Sequence, residues 1–216
     1  MYKCILFCLM LWLPVLVWGQ RKLPRPLPGP PSRADNKCAD KADQCLNSHK
    51  YNAKQRRAFY PFNVAKNIRL ISYESMRPYA AIRIENMAVD EPGDIISGVK
   101  PGEFVVDYSQ VKEFIDLSKT SIDALTDILY NVGFTPIKCN IYNANPGYSC
   151  YEPRNAILFT DKNGKVVQYM EFCFACQRYY LSSARIRNAI YCEQKFDMIR
   201  NFFASQAVKY GTNKER

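Results

Sequence analysis

The stretch RNAILFTDKNGKVVQYMEFCF, residues 154–174, decides the fold. Two alternating apolar runs flank Asp161-Lys162-Asn163-Gly164. Asn-Gly between such runs is the strongest short-range signal for a β-hairpin, because both residues tolerate the positive φ that the turn demands. Strands are therefore predicted at 154–160 and 165–174. Side chains alternate across a strand. A two-residue turn sets Arg154 opposite Cys173, and a four-residue loop sets it opposite Glu171. In both registers Arg154, Glu171 and Cys173 share one face, and extending the first strand backwards adds Glu152 and Cys150. The other face carries Ile157, Phe159, Met170, Phe172 and Phe174 and is expected to meet a core.

Outward from the hairpin, IRLISY (68–73), YAAIRIENM (79–87) and residues 110–117 read as further strands. DEPGD and KPGE make 88–103 a loop with two turns. Ser118 or Thr120 can cap a helix at 119–132, with Asp123 completing a capping pattern. Its apolar stripe is Ile122, Leu125, Ile128, Leu129 and Val132. A last helix at 193–207 turns Phe196, Ile199, Phe202 and Phe203 inward. The expected fold is α+β, an antiparallel sheet of about five strands packed against two main helices. It forms a single domain over 60–212, preceded by a polar, partly helical arm (34–59) and a Pro-rich, extended linker (20–33).

The first 19 residues read as a secretory signal peptide. Lys3 supplies the positive start, Cys4 to Trp18 an apolar run too short to span a bilayer, and Val17-Trp18-Gly19 a cleavage site. The expectation is an exported chain, periplasmic or extracellular, with no membrane span after cleavage. The formal charge is +10. It is spread unevenly: residues 1–89 hold 15 Lys/Arg against 5 Asp/Glu, residues 90–135 hold 3 against 9, and residues 136–216 hold 12 against 6. No focused basic stripe of the kind that grips nucleic acid stands out, and export argues against that partner. The chain has one histidine, His49, in a polar stretch. Catalysis by a Ser-His or Cys-His arrangement would rest on it alone.

Nine cysteines are present, and seven follow the leader: Cys38, Cys45, Cys139, Cys150, Cys173, Cys176 and Cys192. Export favours disulfides, and the odd number leaves one thiol over. Cys38 and Cys45, seven apart on a helix, would stand about 10 Å apart, too far to bond each other without a bend. Three readings of the hairpin cysteines compete. Cys150, Cys173, Cys176 and Cys192 form a structural disulfide; or the same four thiolates hold zinc; or Cys173 and Cys176 form a redox-active C-x-x-C. Arg154 would favour a thiolate there and Glu171 would oppose it. The leading expectation is a non-enzymatic structural or binding module with a cysteine-stabilised face and no cofactor. The alternative is a thiol-redox or zinc-thiolate protein.

CYEPRNAILF (150–159) and EFCFAC (171–176) resemble the shared pattern of a family of uncharacterised exported bacterial proteins, most like those of Bacteroidota: C-x-x-P-R-[HN], a hairpin, then C-F-x-C. The resemblance extends to YPFNVAKNIRLISY (60–73), LSKTSIDALTDILYN (117–131) and the segment from Cys192 to Thr212. It implies export and a candidate face at the paired motifs, and it implies no reaction. Members often carry His where this chain has Asn155.

Overall fold

The structure, a computed structural model, describes residues 29–75, 95–100, 102–139, 151–187, 192 and 194–213. The chain divides into two units, Met1–Pro31 and Ser32–Arg216. Of the first only residues 29–31 are described. Everything below concerns the second. The leader, the strand expected at 79–87 and Cys150 lie outside the described residues.

The hairpin forms as strands Asn155–Thr160 (β7) and Val166–Cys173 (β8). Its turn has neither of the expected lengths. Asp161 N bonds Lys165 O, Gly164 N bonds Asp161 O, and Gly164 adopts φ 78°, leaving a three-residue loop. A bulge between Phe159 and Thr160 then restores the pairing of Asn155 with Phe172, Ala156 with Glu171 and Ile157 with Met170. That is the register of the two-residue turn, so the predicted division of faces survives a different turn.

Around the hairpin, Asn67–Tyr73 (β2) pairs antiparallel with β7, and Val111–Asp116 (β5) pairs with β2 at the edge. Ile96–Lys100 (β3) and Glu103–Val106 (β4) form a hairpin that joins β8 through Phe104 and Val166. Arg178–Leu181 (β9) pairs with the far end of β8. The sheet has seven strands where about five were expected. Residues 88–103, expected from their Gly and Pro to form a loop, instead hold β3, and β4 starts at their end. Gly102 at φ 76° provides the turn.

Both sides of this sheet are covered. On one, Leu70, Ile157, Phe159, Met170 and Phe172 pack against helices Lys119–Asn131 (α3) and Lys195–Ser205 (α4). Leu125 and Leu129 come from α3 and Phe196, Ile199, Phe202 and Phe203 from α4, as their spacing predicted. Full burial of each such side chain stabilises the fold by about 1.5–3 kcal/mol. Ser118 caps α3 by accepting from Ser121 N; Asp123 instead forms an ion pair with Arg57. On the other side, Ile71, Tyr73, Ala156, Leu158 and Tyr169 meet Ile95, Ile96 and Val106 in a second core. Every residue of β7 is buried for this reason.

The arm is built of a helix Arg33–Asp43 (α1), a short strand Cys45–Asn47 (β1) and a helix Ala53–Arg57 (α2). Strand β1 pairs with Val132–Phe134 (β6), a separate two-stranded sheet directly after α3. Arg56 ties α2 to α3: it is buried, reaches Asp127 at 3.1 Å, and donates to the carbonyls of Tyr51 and Asp123. Two disulfides complete the attachment, Cys38–Cys139 and Cys45–Cys192, with Cα separations of 5.8 and 5.2 Å. Thus Cys38 and Cys45 do not pair with each other.

Candidate functional site

The hairpin places Glu171 and Cys173 on the second-core side of β8, where alternation requires them to be. The face is not open. Glu171 is 7% exposed and Cys173 1% exposed, and β9 flanks them in the sheet as the neighbour of β8. The Tyr73 hydroxyl donates to Glu171 Oε1 at 2.8 Å, and the Tyr151 hydroxyl to Oε2 at 3.4 Å. Burial, with the Glu171 carboxylate alongside, pushes the Tyr73 phenol well above its ordinary range. The cross-strand partner considered for Arg154 was Glu171; its described ion pair is with Glu152, at 3.2 Å.

The sulfurs divide sharply. Cys192, grouped by sequence with the hairpin cysteines, bonds Cys45 in the arm. Cys176 is also in a disulfide, with a partner outside the described residues, and Cys173 is free and buried. A sulfur in a disulfide has no thiolate to offer a metal. Of the four thiolates considered for zinc, Cys150 lies outside the described residues and Cys173 is the described one that remains a thiol. Among the described residues, His, Cys, Asp and Glu do not gather in groups of three or more.

Burial pushes the Cys173 thiol up. The backbone N–H groups of Glu152 and Cys176 pull the other way without reversing it, and the Arg154 charge helps them slightly. A nucleophilic thiol needs the opposite balance. Asn155, where the resembling family often has His, turns to the helical side of the sheet with Phe172. Its Nδ2 donates to Tyr210 O at 3.0 Å. His49 is exposed.

A concavity that the sequence did not suggest lies where β1 and β6 meet the end of α3. It encloses about 360 Å³, and Leu46, Leu129, Val132, Phe134 and Pro136 form its apolar lining. The strands that frame it have three residues each, too few for alternation to register. Cys45 fixes β1 to Cys192, three residues ahead of α4, so the disulfide holds one wall of the cleft. The disulfides are consistent with an oxidising, exported compartment. Among the described residues, no helix is long and apolar enough to cross a membrane. No protein-family model, curated protein or solved structure matches this chain.

Proposed function

We propose that the chain is an exported, non-enzymatic binding module in which sulfur is structural. The observation that carries this reading is the span of the bridges. Cys38–Cys139 and Cys45–Cys192 join residues 101 and 147 apart, and both anchor the arm. Loops of such length give a disulfide its largest effect on the unfolded chain, about 4.7 kcal/mol for 100 residues. The thiol left over is buried and raised in pKa, which suits packing better than chemistry. The cleft at β1 and β6, mostly apolar with a few polar groups, has the composition of a ligand site.

The test is a thiol and metal count on the mature protein. One thiol per chain, unreactive until urea is added, with no bound zinc, is the expected result. Zinc held at one equivalent by several thiolates, or turnover of a dithiol substrate by Cys173 and Cys176, would replace this reading with the metal or redox alternative.

A further inference from the structure

The cleft at β1 and β6 has a charged end. Lys50 and Arg187 line it, and among its described lining residues there is no carboxylate. Arg187 Nη2 donates to the Tyr51 hydroxyl at 2.8 Å, and its guanidinium lies over the Tyr51 and Phe59 rings at 5.0 and 4.6 Å. Lys50 Nζ stands 5.2 Å from the centre of the Tyr51 ring. The two cations therefore converge on one spot. The Tyr51 phenol responds to them: hydrogen bonding from Arg187 first, then from Lys50, holds it below its ordinary value.

One observation points to an occupant, and it lies at Gly133. It pairs with Leu46 across β1 and β6, so a side chain there would point to the same side as Leu46. A Cβ built on it meets nothing within 4 Å. The strand thus omits a side chain where the cleft is open, while Leu46 on the same side remains 45% exposed.

We propose that this cleft binds a small amphipathic monocarboxylate, its apolar chain on Leu46 and over Gly133 and its carboxylate against Lys50 and Arg187. This rests on reading the chain as a binding module and names the ligand class of its cleft. The volume sits at the lower end of the range for small-molecule sites, about 300–1,000 Å³, so one unbranched ligand fits.

The experiment is titration calorimetry of the full mature chain with octanoate, decanoate and dodecanoate below their micellar concentrations, and with decylammonium. Saturable binding is expected, tightening about fourfold per added methylene until the cleft is full. Decylammonium is expected to bind about tenfold or more weaker than decanoate, and the Lys50→Ala/Arg187→Ala variant to lose about tenfold or more for decanoate. Gly133→Leu should fill the cleft and abolish binding. Both cations are exposed, so their replacement reports even where Gly133→Leu does not fold. Absence of saturable binding, equal affinity for decylammonium, or undiminished binding by a folded Gly133→Leu variant would overturn the assignment. A thiol count on the same samples reports the disulfides independently, so the two readings fail separately.

Discussion

Replacing Lys195 by Met should abolish a rise in stability that the native chain shows between about pH 7 and pH 9.5. The Lys195 side chain is fully buried, and Nζ donates to Leu129 O at 2.8 Å and Val132 O at 2.7 Å. These carbonyls belong to the end of α3, where the ladder of helical bonds runs out and a cation is favoured. Burial nevertheless wins and brings the ammonium from 10.5 down to about 8. The unfolded chain keeps the ordinary value. Between about pH 8 and pH 10.5 the unfolded state therefore holds more protons than the native state, and stability climbs with pH. Below about pH 8 both states are charged and the cost of burying the charge is felt in full. The gap corresponds to about 3 kcal/mol, of which about 2 kcal/mol is recovered by pH 9.5. Urea unfolding followed by far-ultraviolet circular dichroism, on native and Lys195→Met chains across that range, reads the effect. The vertical offset at pH 7 reports the lost hydrogen bonds net of the relieved burial of charge; the difference in slope reports the titration alone. Parallel curves from pH 7 to pH 9.5 would refute the reasoning.

Other perturbations have equally definite outcomes. Cys45→Ser/Cys192→Ser opens a loop of 147 residues and should cost up to about 5 kcal/mol, read as a lower urea midpoint with β1 and α1 the first segments to exchange amide hydrogens. Gly211→Ala should destabilise well beyond Gly102→Ala in thermal melts. Both glycines have positive φ, 73° and 76°, but a Cβ at 211 comes within 2.6 Å of Asn155 Oδ1 and 2.8 Å of Arg154 Cβ, whereas at 102 it meets nothing. The Gly102 change should cost about 1 kcal/mol, and equal losses at the two sites would contradict the close approach.

The central hairpin was legible because two signals agreed: alternation along 155–173 and Asn-Gly between the runs. The turn itself was misjudged by one residue, since a G1-type turn and a bulge at Phe159 together reproduce the two-residue register. Strands β3 and β4 were hidden by Gly98, Pro101 and Gly102, residues that weaken local strand preference. What makes them strands is tertiary, the packing of Ile95, Ile96 and Val106 over Leu158 and Tyr169. Glu171 and Cys173 lie on the same side of β8, and both are buried there, Glu171 against the Tyr73 hydroxyl. Alternation says which residues share a side and nothing about what covers it. Within the partly helical arm, β1 escaped notice because it is three residues long and gains its partner from β6, 85 or more residues away. Disulfide partners are likewise unreadable from spacing. Cys38 and Cys45 do bond elsewhere, but the helix expected to hold them apart ends at Asp43, before Cys45, and spacing could not name Cys139 and Cys192. The cleft left no sequence trace, because its lining comes from segments that meet only in the fold.

Mass-spectrometric mapping of the unreduced mature protein tests the structural role of sulfur most directly. Peptides linked through Cys38–Cys139 and Cys45–Cys192, a third bridge carrying Cys176, and Cys173 alkylated only after unfolding are the predicted result. A Cys173–Cys176 bridge, or Cys192 recovered as a thiol, would contradict it.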